Sequence, residues 1–252
     1  MFVDTLQFCR YAELAAAQGW RVVMEVQAPL VRLLRSLDGV AAVVAHGEAL
    51  PPFDVHCPML SLPLALGTVM ESIPNEAPYL CPEAAAAGRW ASRLPRSPGG
   101  VRAGLVWAGS ARAHAPALAA LDARRSIALA RLAPLLGVPG VQWLSLQKDG
   151  DVGGFPLLDL MGEMTDFADT AALIANLDLV ISVDTAVAHL AAAMGKPVWL
   201  LNRFDSCWRW PQRHRDSVWY PSIRIFHQRV AGDWDSVVAE VVTALELFAD
   251  GS

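Results

Sequence analysis

Across residues 178–201 the hydrophobic pattern changes period twice. DLVISV is an unbroken apolar run of strand length, TAVAHLAAAMG reads as a helix, Gly195 and Pro197 close that helix, and PVWLL is a second strand-like run. A buried strand that stops at an aspartate, passes at once into a helix and returns to a strand is the unit from which parallel sheets covered by helices are built.

The alternation extends along the chain. Near the start, residues 5–18 read as a helix closed by Gly19, followed by strand RVVMEV, helix APLVRLLRSL, and strands AAVVA and FDVHCPM. LPRSPGGVR, at 94–102, is the clearest break, with two prolines and two glycines, and marks a domain boundary. Beyond it the strands are 102–108, 141–147, a weak FPLLDL, 178–183, 197–201 and 222–226, with helices RSIALARLAPLL, DFADTAALIANL and TAVAHLAAAMG between them and WDSVVAEVVTALELFA at the end. The expectation is an α/β fold of two Rossmann-like units, 1–95 and 100–230, with a terminal helix over 231–252.

Composition excludes several classes. With 252 residues, 54% of them hydrophobic, the chain can bury a large core. A net charge of −5 and no basic stripe beyond the short RHR argue against nucleic acid as a partner. Cys9, Cys57, Cys81 and Cys207 lie far apart without a CxxC, which suits neither a zinc site nor a disulfide framework and fits a reducing cytoplasm. No apolar stretch reaches the roughly 20 residues of a membrane helix, and Asp4, Arg10 and Glu13 stand where a signal peptide would carry its apolar core.

In open parallel sheets, ligands bind beyond the carboxyl ends of the strands. Three such ends carry polar residues: WAGS with Ser110, QKDG with Lys148, and Asp184 with Thr185. The first N–H groups of a helix have no intrahelical partner and sit at its positive dipole end, so Thr185, Ala186 and Val187 offer backbone donors to an anion. Lys148 would add a point charge and Ser110 a hydrogen bond, while His189 falls on the same helix face one turn deeper. The combination suits a phosphorylated ligand. Each residue also has a plainer reading: Asp184 as an N-cap, His189 as a core histidine, Lys148 and Ser110 as loop residues. Trp208, Trp210 and Trp219 read as loop packing rather than ligand stacking. No GxGxxG follows a first strand, which sets aside a dinucleotide-dependent oxidoreductase.

SVDTAVAHLAAAMGKPVWLL resembles the SVDT(G/A)xxHLAxAxGxP segment of GT-B glycosyltransferases, in particular the heptosyltransferase-like family 9 and bacterial relatives fused to tetratricopeptide repeats. GLVWAGS, DARRSIALARLAPLL, VQWLSLQKD, WRW, WYPSIRIFHQ and GDWDSVV are similar to the carboxyl-terminal half of those repeat-fused proteins, and residues 4–40 with LPPFDVHCPMLSLPLALGT to their amino-terminal half. The resemblance implies an acceptor-side domain, a nucleotide-sugar domain, and transfer of a sugar from a nucleotide-diphosphate donor to a hydroxyl; no carboxylate pair of the metal-binding kind stands out, so no obligate metal is expected. It assigns Lys148, Asp184, Thr185, Ala186 and His189, with Ser110, to the donor diphosphate, and Asp4 to the general base. It departs from the family in beginning MFVD, without a first strand and its Gly-rich turn, and in carrying no repeats. The first domain is therefore expected to be incomplete, with a homodimer as one way of filling the strand slot. The acceptor, whether glycan, small molecule or protein, stays open. So do two alternatives: a catalytically weak nucleotide-sugar-binding module, and a GT-B-fold epimerase.

Overall fold

The computed structural model describes residues 1–95, 100–110, 115–212 and 214–251. Residues 96–99 of the Pro-Gly break, the ARAH stretch after Ser110 and the first residue of RHR lie outside them. Two short helices open the chain, α1 (Phe2–Phe8) and α2 (Tyr11–Ala17), where the pattern predicts one. The break falls at Cys9–Arg10, where Arg10 turns inward and its Nε donates to the Gln7 carbonyl at 2.8 Å. Strand β1 (Val22–Val26), helix α3 (Val31–Leu34) and strand β2 (Val40–Ala45) follow, the two strands pairing in parallel. FDVHCPM does not form the expected strand: 53–59 is irregular and mostly exposed, in a stretch where Pro51, Pro52 and Pro58 lack ladder donors. Helices α4 (Leu62–Ala65) and α5 (Ala84–Arg93) complete this part.

Strand β3 (Val101–Val106) begins the larger sheet, followed by α6 (Pro116–Arg125), α7 (Ala133–Leu136) and β4 (Val141–Ser145). The single helix expected over 125–136 is split, because the chain is extended at Ser126 and the Ile127 N–H bonds the Trp107 carbonyl at 2.8 Å. The weak strand does form, as β5 (Leu157–Asp159). Then come α8 (Phe167–Ile174), β6 (Leu179–Val183), α9 (Ala186–Ala193), β7 (Val198–Asn202), β8 (Ile223–His227) and α10 (Trp234–Asp250). All six strands are parallel, in the order β5-β4-β3-β6-β7-β8. The chain walks outward from β3 to β5 and then returns to lay β6 on the other side of β3. Loops leaving β3 and β6 therefore diverge, and open a crevice at their carboxyl ends.

One face of this sheet carries α8 and α9. Their buried residues join Leu6, Phe8, Tyr11, Met24, Val26, Leu34 and Trp90 of the preceding segment in a continuous core. Backbone N–H groups of Tyr79 and Leu80 bond the Ala193 carbonyl at the end of α9 (2.9 and 3.2 Å), and Arg32 of α3 pairs with Asp166 (2.8 Å) and Asp169 at the start of α8. The other face packs α7 and α10 over Trp199, Leu201 and Phe226. Among the described residues no helix is long and apolar enough to cross a membrane.

Candidate functional site

The crevice between the β3 and β6 loops is organised by Arg125, at the last turn of α6. Its Nη1 donates to the Asp184 carbonyl at 2.5 Å, its Nη2 pairs with Asp122 at 2.6 Å, and the group lies flat on Gly109. A Cβ at Gly109 would sit 2.3 Å from Arg125, so glycine is what admits the guanidinium. Ser126 completes the brace: its Oγ accepts from the Gly109 N–H (3.1 Å) and donates to the Asp122 carbonyl (2.6 Å). The WAGS loop and the Asp184 turn are thus joined through one buttressed cation.

Gln147 ties in the third strand end. Its Oε1 accepts from the N–H groups of Trp107 (3.2 Å) and Ala108 (2.8 Å). Lys148 and Ser110 both lie exposed on these loops. The expected strand ends are therefore contiguous.

Thr185 is the N-cap of α9, yet its hydroxyl bonds Ser182 Oγ at 2.9 Å instead of capping. No side chain caps this helix, and Ala186 and Val187 remain partly accessible. An uncapped first turn beside a fixed guanidinium leaves open N–H donors in a patch of positive potential. Arg203, the first residue after β7, adds to it. It is buried, with Nε 3.6 Å from Asp205 and an Nη1 that has no partner among the described residues.

His189 does not reach a ligand surface, because it is 0% exposed. Its Nδ1 lies 2.9 Å from the Tyr220 hydroxyl. Tyr79 receives a bond from Arg10 Nη2 (2.7 Å) and gives its own hydrogen to the Leu6 carbonyl (2.8 Å). Tyr220 is left to donate to His189, which assigns the imidazole hydrogen to Nε2, facing Asp184 Oδ1 at 3.9 Å. Burial pushes the histidine below its ordinary value, against the opposing pull of Asp184. Burial alone would raise the Asp184 carboxyl, but His189, Trp210 and the Arg125 charge together hold it low. A neutral histidine beneath an ionised aspartate is the resulting pair.

Asp4 lies in α1, which packs on α9, and its Oδ1 is held by the Arg209 guanidinium. Arg209 also bonds Gln7 and stacks on Trp208, 4.4 Å from the ring centroid. Trp210 and Trp219 are buried against His189 and Phe8, and so serve packing, whereas Trp208 stays 63% exposed. Sequence reasoning missed Arg10, Tyr79, Arg125, Arg203 and Tyr220. A doubled arginine ending a helix beside a strand end was the one available signal; the two tyrosines gave none.

Residues 153–205 match the family model for glycosyltransferase family 9 (heptosyltransferase). The segment holds β5 through β7, including Asp184, Thr185, His189 and Arg203. Three solved structures share the fold across most of this chain. A family 9 glycosyl transferase from Veillonella parvula aligns over 100% of this chain and 95% of its own, with a TM-score of 0.69 at 10% identity. Over residues 153–205, then, the chain is similar to glycosyltransferase family 9. ADP-heptose lipopolysaccharide heptosyltransferase II of E. coli aligns over 98% and 97%, with a TM-score of 0.60 at 14% identity. The iron-containing dodecameric glycosyltransferase TibC, also from E. coli, aligns over 94% of this chain and 62% of its own, with a TM-score of 0.53 at 14% identity. Among curated proteins, FlbA of Caulobacter vibrioides is 31% identical over 197 residues, 73% of this chain. The chain spans about a third of FlbA's length, the aligned share being 32%. The family 9 match over 153–205 agrees with the resemblance read from SVDTAVAHLAAAMGKPVWLL, and the solved structures with the parallel α/β fold expected of it.

Proposed function

We propose that the chain is a glycosyltransferase that takes a sugar from a nucleotide-diphosphate donor and passes it to a hydroxyl acceptor. The observation that carries this reading is the uncapped start of α9 at the point where strand order reverses, with Arg125 fixed beside it. In this reading the donor diphosphate lies on the N–H groups of Ala186 and Val187. Arg125, Lys148 and Arg203 neutralise it, Ser110 adds a hydrogen bond, and the dipole of α9 stabilises the charge that grows as the sugar departs. His189 acts from below, its Nε2 3.9 Å from the Asp184 carboxylate, through the electrostatics of the pair rather than through the ligand. Residues 1–95 would form the acceptor side and 100–230 the donor side, in a cytoplasmic protein, with a homodimer supplying further strand pairing to β1. Glycan, small-molecule and protein acceptors are all compatible with this reading.

A second reading has its own observation. Asp4, assigned as general base, has Oδ1 held by Arg209 and Oδ2 3.1 Å from the Met1 amino group, so transfer requires one of these ion pairs to open. A binding module with weak or no transfer would keep both closed.

Calorimetry with UDP, ADP, GDP and CDP and their sugars tests the donor site, using Ala186→Pro as the probe. Proline is tolerated at the first helical position and Thr185 is already extended, so the variant removes one N–H while sparing the fold. One nucleotide should bind wild type and bind the variant about tenfold more weakly, as loss of a charge-assisted hydrogen bond implies. No binding by any nucleotide refutes the donor site. Asp4→Asn then separates the two readings: loss of sugar transfer with donor binding intact supports the transferase.

A further inference from the structure

On the face of the sheet opposite α9, a shallow cavity of about 510 Å³, open to solvent along the exposed Thr243 and Leu247, lies between α10 and the strands β7 and β8. Trp199 and Arg224, partners in register on β7 and β8, form its floor, and Leu247 and Phe248 of α10 its wall. The Phe248 ring stands edge-on to Trp199 with centroids 5.7 Å apart. On one side the cavity is bounded by the ion pair of Arg215 and Glu240, at 2.6 Å. Trp199 and Arg224 sit near the amino ends of their strands, whereas Arg125, Asp184 and Arg203 gather beyond the carboxyl ends. The cavity is therefore separate from the crevice described above.

Arg224 decides what such a cavity would hold. Its guanidinium carbon lies 4.7 Å from the Phe226 centroid and 5.8 Å from that of Trp199, and stacking on the rings orients its plane. Among the described residues it is the one partly buried or buried arginine whose guanidinium has no carboxylate, carbonyl or hydroxyl acceptor. Arg10, Arg32, Arg102, Arg125, Arg203 and Arg209 each have one. Glu240, the acid lining the cavity, is engaged by Arg215. What remains is one unpaired cation beside an apolar wall.

We propose that this cavity binds a small monocarboxylate with an apolar body, such as a fatty or aromatic acid. The carboxylate forks onto the Arg224 guanidinium, and the body lies along Ala244, Leu247 and Phe248. A single uncompensated positive charge matches a single carboxylate. A doubly charged phosphate would set its second charge against Glu240, which disfavours it.

Octanoate is the probe and octanol its uncharged control, titrated calorimetrically into wild type, Arg224→Gln and Arg224→Lys. Octanoate should bind wild type, and at least about tenfold more weakly Arg224→Gln, as expected when a charged hydrogen-bonding partner is lost. Arg224→Lys should retain part of the affinity, and octanol should bind far less tightly than octanoate. Melting curves establish that the variants fold. If Arg224→Gln does not fold, the indole N–H resonance of Trp199 in the wild-type protein serves instead, and should move on addition of octanoate but not octanol. Absence of octanoate binding, equal affinity for Arg224→Gln, or equal affinity for octanol would each overturn the proposal.

Discussion

Replacing Tyr220 by phenylalanine removes one oxygen from the centre of the network beneath Asp184. Ring packing against His189, at 5.5 Å between centroids, is kept, and so is the fully buried position. What is lost is the donor at 2.9 Å from His189 Nδ1, which then has no partner and no access to water. Leaving a buried acceptor unsatisfied costs about 1–3 kcal/mol, or roughly a 2–10 °C fall in Tm for a domain of this size. Tyr11→Phe is the matched control. Tyr11 is equally buried, but its hydroxyl has no partner among the described residues, so its removal should be neutral or stabilising. Urea denaturation of wild type and both variants gives the comparison. If Tyr220→Phe matches wild type, or the two variants shift alike, the Tyr220 hydroxyl does not support buried His189 as argued.

The same pair predicts sensitivity to acid. His189 and Asp184 both titrate below their ordinary values in the folded protein, so the unfolded chain binds more protons as pH falls. Stability should decline first as pH drops below the unfolded histidine value of about 6.5, then again below about 4; His189→Gln should remove the first decline in urea midpoints measured from pH 7.5 to 5. Arg125→Ala should weaken nucleotide binding by about tenfold or more while the far-ultraviolet spectrum is unchanged; unaltered affinity would remove Arg125 from the donor site. Lys196 Nζ donates to the carbonyls of Ala175 and Leu177 at 2.7 and 2.9 Å, closing the end of α8, so Lys196→Met should cost about 1–2 kcal/mol in urea denaturation. Gly104→Ala would place a Cβ 2.5 Å from Leu146 and 2.7 Å from Leu177 in the core under β3, and should destabilise by about 1–3 kcal/mol in the same assay.

Periodicity alone determined most of the larger sheet. Strands such as LVISV and VWLL are buried on both faces, so their sequences are continuous apolar runs, and the helices between them are closed by glycine and proline. The place where polar residues converge was legible for the same reason: a strand that stops at Asp184 and enters a helix at once must put that turn at a carboxyl edge. Sequence misled at 53–59, where apolar residues are interleaved with prolines, and at 125–136, where one helical pattern spans an extended segment. Tertiary structure alone decided the roles. His189 has the right spacing to follow Thr185 on a ligand-facing helix, yet the docking of α1 and the Trp210 and Tyr220 rings bury it. Arg125 shows no distant partner in the sequence, and gains one because Asp184, 59 residues on, folds back within 2.5 Å. Period is a property of neighbours a few residues apart, so it survives in a string of letters; a hydrogen bond between distant segments exists only once both have been placed.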